Sequence, residues 1–128
     1  MTTWFTSDTH FGHARIIELA LRPFASVEEM DETMIERWNE IVAPGDTVHH
    51  LGDFAFADHN IYLPRLKGHK HLIIGNHDHS NRLKKARGWA TVEDMLTIKV
   101  HDVSIVLCHY ALRVWNKSHH GGPAFLRA

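Results

Sequence analysis

The chain has 128 residues, 44% apolar and 23% charged, with a formal net charge of −1. That length suits one domain over 1–128, and no apolar run approaches the roughly 18 residues of a membrane span. The balance lacks the clustered Lys and Arg of sequence-independent nucleic-acid binding, and a single cysteine, Cys108, excludes an internal disulfide.

Residues 2–8, TTWFTSD, are rich in β-formers and predict a first strand running into a loop. Residues 13–22 space Ile16, Ile17, Leu19 and Ala20 as a helix that stops before Pro23. A second helix is predicted over 26–42. Ser26 with Glu29 three residues on forms a capping-box pattern, and Met30, Met34, Ile35, Trp38 and Ile41 share one face. Pro44, Gly45 and Asp46 make a turn. Strands follow at 47–53 and 70–78, with a short helix broken near Pro64 between them. The basic stretch 81–87 reads as a solvated helix face. Strands at 95–100 and 103–110, with His101 and Asp102 between them, predict a hairpin. The tail carries a Gly-Gly-Pro breaker and no further element. Alternating strands and helices followed by a hairpin indicate an α/β chain with mixed sheets.

Histidine is the compositional outlier, with 13 residues scattered along the chain. It is the commonest metal ligand and titrates near neutral pH, so composition leans toward metal or acid–base chemistry. Four short stretches give that leaning a shape. Each follows an apolar, strand-like run: Asp8 and His10, then Asp53, then Asn76-His77-Asp78, then His109. Loops at the carboxyl ends of strands in α/β folds converge on one edge. Asp8 and His10, two apart, can point to one side and share a cation. Asp53 is the candidate bridge, since a carboxylate has two oxygens. Asn76 offers a carbonyl oxygen and His109 an imidazole nitrogen. Mixed oxygen and nitrogen ligands suit two divalent transition metals, manganese first, with iron, nickel or zinc as options. Two metals activate a water and clamp a phosphoryl group. His77 is the candidate proton donor to the leaving oxygen, and Asp78 the group that orients its ring.

Asp8-x-His10, Gly52-Asp53, Gly75-Asn76-His77-Asp78 and His109 together resemble the calcineurin-like metallophosphoesterases. SDTHFGHARII, HHLGDFAF and HYALRVWNKSHHG are similar to the small bacterial and phage-type members. The resemblance spans residues 2–121. It implies a four-layer β-sandwich of mixed sheets flanked by helices, a dinuclear metal centre and phosphoester hydrolysis by a metal-activated hydroxide. It assigns Asp8, His10 and Asp53 to one metal, Asp53, Asn76 and His109 to the other, and His77 to the leaving group. The substrate is then a phosphodiester, such as a nucleotide or nucleic-acid backbone, or a monoester. The family's protein-phosphatase and nucleoside-tetraphosphatase branches carry Asp-Arg-Gly after the Gly-Asp; Gly52-Asp53-Phe54-Ala55-Phe56 replaces it here and argues against both.

The family pattern continues past His109 to Gly-His-x-His, which this sequence lacks. His119 and His120 are adjacent, so in a strand they face apart and do not copy two histidines at i and i+2. The expectation is a C-terminally shortened domain with an exposed sheet edge, which a second copy could cover. Two alternatives stand beside the enzyme: an impaired relative that binds a metal or a partner, and a histidine-rich structural metal protein. Arg113 reads equally as a phosphate contact or a surface ion-pair residue. His13 reads as a support for the ligands or as a helix-start residue without a role. His69 and His71 are expected to face solvent, and Trp4, Trp38 and Trp115 to lie in the core. Cys108 beside His109 is not read as a nucleophile pair, because adjacent strand residues face apart.

Overall fold

The computed structural model describes residues 1–115, 118 and 124–128. Four strands, β1 (Thr3–Thr6), β2 (Thr47–His50), β3 (His69–Ile73) and β4 (Trp89–Glu93), form a parallel sheet in chain order. Parallel neighbours need long crossovers. Here these hold the helices α1 (Ile16–Leu19), α2 (Val27–Ile41) and α3 (Ser80–Lys85), and two 3₁₀ turns at His59–Ile61 and Leu63–Arg65. The first three strands therefore end on one edge, and their following loops meet there.

A second sheet holds β5 (Met95–Val100), β6 (Val103–Cys108) and β7 (Ala124–Arg127). β5 and β6 form the predicted antiparallel hairpin. His101 and Asp102 at its turn both have positive φ, 49° and 66°, as a two-residue turn matching strand twist requires. β7 corrects the reading of the tail: residues 124–127 run parallel to β6, with Ile105 opposite Ala124 and Cys108 opposite Arg127. β4 was also not expected, because Trp89–Glu93 shows little apolar alternation.

Ser26 caps α2 by accepting from the Glu29 amide, worth about 1 kcal/mol. The Glu29 carboxylate returns to the Ala25 amide, one residue before the expected Ser26. Met30 and Ile35 are buried, Met34 and Trp38 pack against the core, and Ile41 at the helix end is 58% exposed. The first helix is a correction. Only Ile16–Leu19 is helical, and Leu21 turns to positive φ before Pro23.

Two apolar clusters divide the interior. One joins Ile35 of α2, Leu63 and Leu66 of the 3₁₀ segment and Leu72 of β3 on the outer side of the parallel sheet. The other joins Phe5, Leu51 and Ile73 to Leu96, Ile98, Leu107 and Leu126, between the sheets. The architecture is a mixed-sheet sandwich flanked by helices. Met95, Thr97 and Lys99 are exposed on the outer face of the second sheet, so three of the four expected layers are among the described residues. Among those residues no helix is long and apolar enough to cross a membrane.

Candidate metal centre

The loop after β1 continues the sheet's pairing beyond its strands. The amides of Asp8, His10 and Phe11 donate to the carbonyls of Gly52, Asp53 and Phe54. To do so Asp8, His10 and Asp53 all adopt left-handed φ, 53°, 53° and 57°. Such backbone costs on the order of 1–3 kcal/mol per residue and persists only where neighbours hold it. Three of the five candidate ligands thus sit on strained positions at the end of a rigid sheet.

Asp53 stands at the centre. Its Oδ1 accepts the His77 amide at 2.9 Å, which turns Oδ2 toward the imidazoles. His10 Nε2 lies 3.6 Å from Asp53 Oδ2 and 3.9 Å from Asp8 Oδ1, and His109 Nε2 lies 3.7 Å from Asp53 Oδ2. Ligand atoms of Asp8, Asp53 and His109 fall within 4.8 Å of one another. Asn76 Oδ1 is 3.1 Å from His109 Nε2. The five predicted ligands therefore form one connected group: His10 and His109 face Asp53 Oδ2, Asp8 lies beside His10, and Asn76 beside His109.

His109 Nδ1 lies 2.7 Å from the Leu51 carbonyl, which can only accept, so the proton is on Nδ1. In the neutral ring Nε2 then presents a lone pair to Asn76 Oδ1 and Asp53 Oδ2. Lone pairs facing one another repel, and a cation between them turns repulsion into coordination. The residues present fit a divalent metal. Burial, the largest cause, keeps His10 below the ordinary imidazole range, with Asp53 pulling the other way. A neutral imidazole is the metal-binding form.

Two glycines make the convergence possible. Gly52 has φ 106°, and a Cβ there would run into His109 Nδ1 and the Gly75 backbone. A Cβ on Gly75 would overlap the Asp53 carboxylate.

Asp78 departs from expectation. Its carboxylate accepts three backbone amides, Asp53 and Gly75 on Oδ2 at 2.8 Å each and Phe54 on Oδ1 at 3.0 Å. It ties the second loop to the third and is not bonded to the His77 ring. A buried carboxylate is stabilised by the backbone amides that the folded loops bring to it. The half-buried His77 ring lies 5.8 Å from the His10 ring and 4.9 Å from Phe56, centroid to centroid.

Several supporting residues carry no sequence signal. Arg22 donates to the carbonyls of Asp8 and Thr9, both at 2.7 Å, and clamps the strained first loop. Arg82 donates to the His77 carbonyl at 2.7 Å. A lone arginine near a helix end reads from sequence only as a favourable charge. His50 donates from Nε2 to Thr9 Oγ1, whose own proton goes to Phe54, and accepts the Gly52 amide at Nδ1. Burial drives it down to about 3, so it is a neutral structural histidine.

His71 is a correction: it is half-buried, bonded to Thr91 Oγ1 at 2.7 Å and stacked on His49, since it faces the second sheet. Trp38 is partly buried, Trp115 stacks on Phe125, and Trp4 is 36% exposed with its indole donating to Asp46, so only its edge is in the core. Arg113 is exposed and Cys108 is buried. His119 and His120 lie outside the described residues.

Comparison with known proteins adds an independent line. The calcineurin-like phosphoesterase family model matches residues 1–127. An uncharacterised protein of Methanocaldococcus jannaschii is 42% identical over 80 residues, 59% of this chain and 46% of its own length. The gene 66 protein of Mycobacterium phage L5 is 42% identical over 83 residues, 59% of this chain and 39% of its own. The chain thus spans less than half the length of these curated relatives. The crystal structure of a protein of unknown function from Aquifex aeolicus superposes with a TM-score of 0.71 at 31% identity, covering 94% of this chain and 68% of that one.

Proposed function

The chain belongs to the calcineurin-like phosphoesterase family, and from that premise we propose that it hydrolyses a phosphoester at a centre of two divalent cations. The observation that carries the reading is the convergence of His10 Nε2 and His109 Nε2 on Asp53 Oδ2, at 3.6 and 3.7 Å. Asp8, His10 and Asp53 would hold one cation; Asp53, Asn76 and His109 the other. Manganese suits this oxygen and nitrogen set, as do iron, nickel and zinc. When bound, such cations neutralise phosphoryl charge and lower the pKa of water.

The protein's own groups supply the rest. The His77 amide holds Asp53 Oδ1, so Oδ2 stays aimed at the imidazoles. The His77 ring lies 5.8 Å from the His10 ring, centroid to centroid, which supports the reading of His77 as proton donor to a leaving oxygen. Arg82 and Asp78 fix the backbone that carries it. Asn76 is exposed to solvent, which supports access by an extended substrate. That favours a phosphodiester, a nucleotide or nucleic-acid backbone, over a small monoester. The buried, unpaired Cys108 supports a reducing compartment such as the cytoplasm.

A second reading is an impaired relative that binds a metal or partner without turnover: the ligand atoms that lie within 4.8 Å of one another are those of Asp8, Asp53 and His109, a set for a single cation. Hydrolysis of a chromogenic phosphodiester in manganese, beside metal stoichiometry, separates the two. Turnover with two cations per chain, reduced more than about 100-fold in Asp53→Asn, is expected of the enzyme. No turnover with one cation or none would establish the impaired relative.

A further inference from the structure

His13 sits at the rim of the centre, where nothing so far requires it. Its Nδ1 lies 3.1 Å from His10 Nδ1, and the two rings are inclined by only 21°. Its outer position is itself fixed. The ring lies flat on Phe56, centroids 3.8 Å apart at 17°, and Phe56 in turn packs against His77. Phe56 is the last residue of Gly52-Asp53-Phe54-Ala55-Phe56, so the second loop carries both the central carboxylate and the platform for His13.

A hydrogen bond between two Nδ1 atoms needs one proton, on one ring or the other. His10 Nε2 faces the carboxylates of Asp8 and Asp53, the side on which a cation would sit. An imidazole that gives its Nε2 lone pair to a metal keeps its proton on Nδ1 and needs an acceptor there. His13 Nδ1 is the atom within reach. The proton then lies on His10 Nδ1, and His13 carries its own on Nε2.

We infer that His13 is a positioning residue: as acceptor for His10 Nδ1–H, it fixes the tautomer and ring orientation in which His10 offers Nε2 to a divalent cation. This rests on the metal-centre reading above. The role is that of an outer hydrogen-bond partner, and loss of such partners typically weakens metal affinity by about 10–100-fold. It is distinct from filling space, because Phe56 would stack equally well on any flat ring.

The test uses three variants and two readouts, with circular dichroism as the folding control. His13→Asn places an amide oxygen where Nδ1 stood and keeps the acceptor. His13→Phe keeps the stack on Phe56 and removes the acceptor. His13→Ala removes both. Manganese affinity is read by calorimetry, and His10 protonation by ¹⁵N spectra of the zinc-loaded protein. The expected result is a drop of about 10-fold or more for His13→Phe and His13→Ala, with His13→Asn within about threefold of the native protein. The His10 Nδ1–H signal should be present in the native protein and in His13→Asn. Native-like affinity in His13→Phe would overturn the inference while leaving the metal centre standing, as would a His13→Asn variant as weak as His13→Ala. A native protein that binds neither metal would remove the metal centre and this inference with it.

Discussion

Replacing His49 by phenylalanine should make the protein less sensitive to acid. His49 is 6% exposed, and its buried Nδ1 has no hydrogen-bond partner among the described residues. It lies in a row across four parallel strands, Phe5, His49, His71 and Thr91, all in register. Its ring stacks on Phe5 at 5.6 Å and on His71 at 4.9 Å. Burial, and then the neighbouring His71, lower it from 6.5 to about 4. The neutral ring is therefore favoured in the fold, while the unfolded chain takes up a proton below about 6.5. Stability is intact above that value and falls as pH drops toward about 4. A fully shielded ring with these values would forfeit about 2 kcal/mol between pH 7 and pH 5. Screening by water trims this to roughly 1 kcal/mol. Phenylalanine keeps the stack and does not titrate. Any overpacking cost from its larger ring is the same at both pH values. Urea unfolding of both proteins at pH 7 and pH 5 isolates the effect. The variant should gain about 1 kcal/mol relative to the native protein on going to pH 5, near 4 °C in melting temperature. Parallel pH dependences, within about 0.3 kcal/mol, would refute the placement of His49 as a buried neutral histidine.

Asp78→Asn keeps one acceptor oxygen and turns the other into an NH2 donor, so at least one of the amides of Asp53, Phe54 and Gly75 is left buried against a donor. It should cost about 3 kcal/mol in urea unfolding. Gly75→Ala drives a methyl into the Asp53 carboxylate; manganese affinity by calorimetry should fall more than about tenfold, with about 2 kcal/mol lost in unfolding. Arg22→Met preserves packing beside Met30 and Met34 while removing both bonds to the first loop. Under the proposed phosphodiester hydrolysis, kcat should fall about tenfold, with the far-ultraviolet spectrum unchanged.

The candidate ligand positions were legible because each follows a strand, and strand ends are visible in sequence. Asp8, His10, Asp53, Asn76 and His109 are spaced by local structure, and parallel order brings the first four to one edge. Helix α2 and the hairpin turn were legible for the same reason: Ser26 with Glu29, and His101 with Asp102, act within a few residues. The short β4 and β7 were not, since each gains its ladder from a neighbour distant in the chain. The tertiary structure alone decided what the other charged and polar groups do. Asp78 looks like a partner for His77, yet its amide donors at Asp53 and Phe54 lie 25 and 24 residues away. Arg22 meets its carbonyl partners across 13 and 14 residues. His49, His50, His59 and His71 share a residue type with the ligands, but burial and their neighbours make them structural. Residue type and local spacing specify which groups can bind a cation. Burial, and the partners that folding brings from distant loops, settle which of them are free to do so.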